Sequence, residues 1–386
     1  MFTSARQANA RTRTRRALVV GTVAATLALT ATACGSDADE PVAGSSVVDI
    51  VLTDGGCEPK PATIAAGPIT FKVKNDGSGS VTEGELKKGD VILGEKENLT
   101  PGLSGSFALN VDAGDYSIVC PNADKDSWPF KVTGSLATSS ARSDAAELKQ
   151  ATKEYQEYVL DEVALLTVAN KKFTDAVRAG DIDEAKANFA SAREHYETIE
   201  PVAESFGDLD PKIDLREADV EKGDKWTGFH RIEKALWVDK SLKGMTPIAD
   251  QLDEDIASLK TKVAKTTYQP AQLGNGATEL LNEIAASKIT GEEDIFSHTD
   301  LYDFQANLDG SKRAFVFLTP ALLKSDPALA ETITKRFAEV QTALDEYKKG
   351  DGFVDYSTVT EAQRRVLTQK IDALAEPLST VAGKIA

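Results

Sequence analysis

The chain has 386 residues, more than one compact core of roughly 100 to 200 residues uses, so two domains are expected. Its 41% hydrophobic and 27% charged residues fit a globular chain and exclude disorder along most of its length. It holds 44 basic and 61 acidic residues; without the five arginines of the leader the count is 39 − 61 = −22, a charge that excludes a nucleic-acid role and draws cations to the surface.

Residues 1–33 have the layout of an export signal: basic "RTRTRRALVV", an uncharged run at 17–33, and "ATAC" at its end. The cysteine after "ATA" resembles a lipoprotein signal with Cys34 as the lipid site, although Ala31 stands where that box usually carries Leu. Arg15 and Arg16 also fit a twin-arginine signal, so two export routes stay open. Residues 35–46, "GSDADEPVAGSS", read as a tether. Beyond the leader no uncharged run approaches the roughly 20 residues of a spanning helix. The expected location is therefore extracytoplasmic, in the periplasm or at the outer face of the cytoplasmic membrane, with a lipid anchor.

Residues 47–134 read as β. "VVDIVLTDGGCEP", "ITFKVKNDGSG", "GSFALNVDAGDYSIVC" and "WPFKVTG" are short β-branched and aromatic runs separated by Gly, Asp and Asn turns, the pattern of a small β-sandwich or barrel. This part has no histidine, which excludes a blue-copper centre. Its cysteines, Cys57 and Cys120, leave two readings open. One is a disulfide, as paired cysteines of an exported domain form. The other is a metal site of both thiols with Glu83 and Glu85, acids that strand alternation places on one face.

Small polar residues at 135–147 mark a linker, and from 148 to 386 the period is helical. Leu148, Tyr155, Val159, Val163, Leu166 and Phe173 form an amphipathic stripe. A second helix follows, capped by Asp181 or Asp183 and bent or ended at Pro201. Further helical runs cover 227–237, 246–265, 271–288, 296–318, 326–347 and 360–384, which makes an all-α bundle domain. The run "KIDLREADVEKGDK" at 212–225 reads as solvated helix face and loop. Phe296, Tyr302, Phe304, Phe315 and Phe317 read as core rather than a haem pocket.

All three histidines lie in the helical part beside acids: His195 with Glu197 and Glu200, His230 with Glu233, and His298 among Glu292, Glu293, Asp294, Asp300 and Asp303. Residues three or four apart share a helix face, so His230 and Glu233 can hold one ion. A buried histidine held by a carboxylate, or a solvated pair, is the alternative for a lone H-x-x-E. Three acid-flanked imidazoles in so histidine-poor a chain favour a shared metal site. Imidazole with carboxylate oxygen suits iron in either oxidation state and zinc, and without thiolate it does not select cuprous copper. A zinc peptidase would need further ligands and a base, and the H-E-x-x-H helix is missing.

Together, "CEPKPATIAAGPITFKVKN", "EGELKKGDVILGEKENLTPG", "GDYSIVC", "HYETIEPVAE", "GFHRIEKALW" and "TGEEDIFSHTDLYDFQANLDGS" resemble the extracytoplasmic EfeO-type components of EfeUOB iron-uptake systems, over nearly all of the mature chain. The resemblance implies a cupredoxin-like β-domain at 47–134 followed by an imelysin-like helical domain. It also implies capture of iron and its delivery to a membrane permease, with a haem-peroxidase-like partner alongside. Carried over by motif, the helical site uses His230 and Glu233 with His195, Glu197 and Glu200 as neighbours, and the β-domain site uses Cys57, Glu83, Glu85 and Cys120; whether copper joins iron in the β-domain stays open. Gly84 stands between the two acids where many relatives carry an aromatic. Two competing functions are a zinc-dependent peptidase built on H-x-x-E and an adhesion or polysaccharide-binding lipoprotein whose acids are merely solvated.

Overall fold

The structure, a computed structural model, describes residues 46–89, 91–134, 145–220, 223 and 225–385. The expected leader at 1–33, Cys34, the tether up to 45 and the linker from 135 to 144 lie outside the described residues.

The first part has eight strands: β1 (Ser46–Leu52), β2 (Thr63–Ala65), β3 (Gly67–Asn75), β4 (Gly84–Lys88), β5 (Val91–Lys96), β6 (Ser104–Val111), β7 (Gly114–Val119) and β8 (Ser127–Thr133). They form one sheet in the order β1-β3-β6 and a second in the order β2-β8-β7-β4-β5. β1 runs parallel to β3 and β2 to β8, and the other neighbours are antiparallel. Alternation does what the sequence predicts: Val48, Ile50 and Leu52 of β1 and Ile69, Phe71 and Val73 of β3 point inward and are fully buried. Phe71 stacks on Phe107 of its own sheet at 4.9 Å and meets Phe130 of the other edge-on at 5.6 Å, so one aromatic cluster joins the two layers. Cys57 and Cys120 are buried and joined as a disulfide across 63 residues.

The helical part comprises α1 (Ala145–Ala179), α2 (Ile182–Ile199), a 3-10 stretch (Glu200–Leu209), α3 (Asp210–Asp214), α4 (Gly228–Lys234), a π turn (Ala235–Asp239), α5 (Thr246–Val263), α6 (Pro270–Ala286), α7 (Asp300–Ser325), α8 (Pro327–Asp345), α9 (Glu361–Ser379) and α10 (Val381–Ile385). A two-residue hairpin, β9 (Lys348–Lys349) and β10 (Gly352–Phe353), separates α8 from α9. The stripe read from the sequence of α1 is buried at every position, and the helix begins at Ala145, ahead of the expected 148. Asp181 caps α2 by accepting from the Glu184 N–H at 3.0 Å. α2 gives way to 3-10 geometry at Glu200, where Pro201 has no N–H for the helical ladder. α7 begins at Asp300 instead of 296, because 291–299 folds as a turn against α4, and it runs through Pro320 to Ser325.

The sandwich is packed on the helices. Lys96 of β5 donates to Glu279 of α6 at 2.7 Å, Asn275 donates to the Ala108 carbonyl at 2.9 Å, and Ala271 and Ala382 join the apolar cluster of the sandwich.

α7 approaches the end of α2 so closely that a Cβ at Gly310 would lie 2.1 Å from the Thr198 carbonyl oxygen. Gly310→Ala is therefore expected to destabilise the chain by about 1–3 kcal/mol, read as a lower denaturant midpoint with an unchanged slope; an unchanged midpoint would mean that the two helices separate without cost. Replacing Cys57 and Cys120 together by Ser should cost about 2–5 kcal/mol in the same measurement. No loss of stability would mean that the sandwich does not depend on the bridge.

Candidate metal centre

The centre is built around α4. Gly228 opens the helix at φ +81°, and a Cβ there would meet the Ile213 carbonyl oxygen at 2.2 Å, so only glycine lets α4 start against α3. Thr227 Oγ1 donates to the Lys212 carbonyl at 3.1 Å and Trp226 Nε1 to that of Leu215 at 2.7 Å, which fastens the same junction. The result places Asp214 Oδ1 3.5 Å from His230 Nε2.

His230 and Glu233 are both buried, and His230 Nδ1 lies 3.0 Å from Glu233 Oε2. The other oxygen of Glu233 accepts from the backbone N–H groups of Phe296 and Ser297, at 3.0 and 2.7 Å, and from Ser297 Oγ at 2.8 Å. Glu233 thus holds the imidazole from behind and ties α4 to the 291–299 turn, which brings in Glu293 and Asp294. Two triads have donor atoms within 4.8 Å of one another: Asp214, His230 and Glu293, and His230, Glu233 and Asp294. The first is the better cation site, because Glu233 is already saturated while Nε2 faces Asp214 and Glu293. A carboxylate behind the far nitrogen of a ligating histidine is the usual device for fixing its tautomer.

Arg193 of α2 fills the middle. Its Nη1 lies 2.8 Å from His230 Nε2 and also bonds Asp214; its Nη2 bonds Glu197 and lies 3.1 Å from Glu293 Oε1. Lys288 Nζ donates to Glu197 at 3.2 Å and to Glu200 at 2.7 and 2.9 Å, and Asn307 of α7 donates to both of these acids at 3.0 and 2.7 Å. Arg193 and Lys288 are the two fully buried long-chain cations among the described residues.

Their fields sort the acids. Burial works to raise Glu197 and Glu293, yet Lys288 and Arg193 outweigh it and hold both carboxyls below the usual range. Burial wins elsewhere: it pushes Asp214 up to about 8 and raises Asp294, Asp303 and Glu200, the last two also against Asp294 and Glu197 respectively. For His230, burial and the Arg193 charge press downward and Asp214, Glu233 and Glu293 lift it to about 10. Hydrogen-bond geometry argues the opposite way, since an arginine N–H can only donate and leaves Nε2 to accept. The geometry decides, because a proton on Nε2 would set two donors 2.8 Å apart. The imidazole is therefore assigned as neutral, with its proton on Nδ1 toward Glu233.

The three imidazoles do not gather. His195 lies two residues from both Arg193 and Glu197, about 200° around α2 from each, and its Nδ1 pairs with Glu162 of α1 at 2.8 Å. His298 contributes through its backbone: its N–H donates to the Asp294 carbonyl at 2.8 Å and its own carbonyl accepts from Tyr356 at 3.0 Å. Glu197 and Glu200 do reach the centre, through Arg193 and Lys288. Asp214 corrects the reading of 212–225 as solvated, since its side chain is only 9% exposed and faces Arg193 and His230. No motif marks Asp214 or Arg193; their signal is in the fold, where α3 abuts α4 and α2 turns one face inward.

In the β-domain the expected set of Cys57, Glu83, Glu85 and Cys120 does not form one group, because the sulfurs are bonded to each other and the triads within 4.8 Å occur only in the helical part among the described residues. Glu83 and Glu85 do face each other, sharing a hydrogen bond, and both are raised chiefly by burial, Glu83 also by Glu97. Between them Gly84 faces the core, where a Cβ would already lie 3.1 Å from Val73. From Glu97 the acids continue across the domain junction: a 160 Å³ cavity is lined by Glu95, Glu97, Glu200, Asp210, Glu279 and Glu283, and burial pushes Glu283 up to about 8.

Comparison with known proteins follows this division. A family model described as Imelysin matches residues 151–381, and one described as a Cupredoxin-like domain matches 21–127. The chain is 42% identical over 340 residues to proteins called "Iron uptake system component EfeO" from Escherichia coli strain K12 and from Shigella flexneri, covering 87% of this chain and 90% of each relative. By these matches the chain belongs to the family of EfeO-type iron uptake system components, a cupredoxin-like β-sandwich joined to an imelysin-like helical domain.

Proposed function

We propose that this protein is an exported iron-binding component that captures iron at the centre around His230 and passes it to a membrane permease, with a haem-peroxidase-like partner of the same system alongside. The observation that supports this most is the convergence of Asp214, His230 and Glu293 within 4.8 Å, from three separate segments of the chain. An imidazole nitrogen with two carboxylate oxygens suits iron, and zinc is its natural competitor. With the thiols of Cys57 and Cys120 joined, the β-domain offers copper no sulfur ligand in this state. Its acids and those of the junction cavity serve instead to concentrate cations beside the centre. No helix among the described residues is long and apolar enough to cross a membrane, so retention at the outer face of the cytoplasmic membrane falls to a lipid on Cys34.

Iron is cargo here, and the protein is not an enzyme on this reading. A peptidase would need Glu233 or another acid free to act on water, and Glu233 is spent on His230 and the 296–297 backbone.

Calorimetry of the full chain with ferrous iron, ferric iron, zinc and copper should find one site that loses most of its iron affinity in His230→Ala. Glu233→Gln should weaken it by roughly 10–100-fold, as a partner that orients a ligand does. Iron affinity untouched by His230→Ala would contradict the reading and favour solvated acids. Proteolysis abolished by Glu233→Gln would favour the peptidase.

A separate expectation concerns the β-domain: the Cys57→Ser, Cys120→Ser variant should keep its iron site. Loss of that site would return the role to the thiols.

A further inference from the structure

The three donors of the proposed iron site are bonded to the same guanidinium. Arg193 Nη1 contacts Asp214 Oδ1 and His230 Nε2, and Nη2 contacts Glu293 Oε1. A metal ion cannot take the lone pair of Nε2 while an arginine N–H is 2.8 Å away on the same line of approach. Binding at that triad requires the arginine to leave it.

The structure also shows where a departing guanidinium would go. Arg193 Nε has no hydrogen-bond partner, although it is fully buried, and it lies 3.6 Å from Asp294 Oδ1 and 3.6 Å from Asp303 Oδ1, too far for a bond to either. Asp303 is itself fully buried, and neither of its oxygens receives a hydrogen bond apart from a contact with the Asp294 carboxyl. Asp294 Oδ1 is unpartnered as well. Buried carboxylates left without donors are rare and costly. Here both oxygens of Asp303 and Oδ1 of Asp294 have no donor beyond each other's carboxyl, while Asp294 Oδ2 accepts from Thr299 Oγ1, and the guanidinium Nε stands 3.6 Å from each acid.

We propose that Arg193 is an internal stand-in for the cargo: in the empty protein it occupies the Asp214, His230 and Glu293 triad, and an arriving cation displaces it onto Asp294 and Asp303. This rests on the reading of that triad as the metal site and adds to it a partner that must move. The exchange keeps a positive charge among the buried acids at every stage, so the empty protein does not collapse and the loaded one does not hold uncompensated carboxylates. It also sets specificity, because a weakly interacting cation cannot outcompete the three contacts that the guanidinium makes with the triad. Asp303 is on this account a positioning residue for Arg193 and does not touch the metal.

The test is a double-mutant cycle on the full chain with zinc as a diamagnetic probe. Asp303→Asn should weaken zinc binding about tenfold, and that penalty should vanish when Arg193→Gln is also present, because no guanidinium then needs a berth. An Asp303→Asn penalty of the same size in both backgrounds would make Asp303 a ligand and overturn the exchange. Should Arg193→Gln fail to fold, the Arg193 Nε–H signal of the nitrogen-15-labelled wild type, assigned with Arg193→Lys, carries the test: it should shift on zinc saturation, and a signal unmoved at saturation overturns the proposal. Zinc binding that is absent, or indifferent to His230→Ala, removes the underlying site and the exchange with it; binding that needs His230 but shows no coupling to Arg193 removes only the exchange.

Discussion

A guanidinium with no access to water organises the helical half of this protein. Taking the charge of Arg193 out of solvent is tolerable only if carboxylates meet it from several directions, and here they come from α2, α3, the 291–299 turn and α7. That requirement accounts for features that otherwise look unrelated. Gly228 allows α4 to press on α3 so that Asp214 reaches the cluster, Gly310 allows α7 to press on the end of α2, and Glu233 pins the 291–299 turn by its backbone N–H groups. Lys288 repeats the arrangement one layer away for Glu197 and Glu200. Removing one partner from such a network costs about 3–5 kcal/mol, so the cluster is a fixed frame and not a set of adjustable surface pairs.

The same frame explains how a stable protein can hold more acid than it neutralises. Two carboxyls, Glu197 and Glu293, are driven down by the buried cations, while Asp214, Asp294 and Asp303 are driven up by burial. The sandwich contributes from the other side of the junction. Glu85 of β4 and Glu95 of β5, with Glu83 just before β4 and Glu97 just after β5, stand on this side, and the cavity beyond them is walled by Glu279 and Glu283 of α6. Acids thus run from the β-domain to within reach of Glu200.

Much of this was legible in the sequence, for physical reasons that differ by element. The strands and α1 were readable because burial on one face leaves a period of two or near 3.6, and both periods survive in the burial of β1, β3 and α1. His230 and Glu233 were readable because a three-residue step is a short-range fact. What failed was inference across the fold. His195 neighbours Arg193 and Glu197 in sequence but projects from the opposite side of α2 and finds Glu162. Asp214 sits in a run dense with charge, where nothing local separates one buried carboxylate from its solvated neighbours. Arg193 and Glu197 look like an ordinary exposed i, i+4 pair until α3, α4 and α7 close over them. Between the two readings of Cys57 and Cys120, no local rule chose; the sandwich did, by bringing them together in its core.

The most direct test of the account is diffraction from crystals of the full chain loaded with iron, recorded on both sides of the iron absorption edge. The account places the anomalous peak among Asp214 Oδ1, His230 Nε2 and Glu293 Oε1. A peak confined to the β-domain acids, with those three donors still bonded to Arg193, would contradict it.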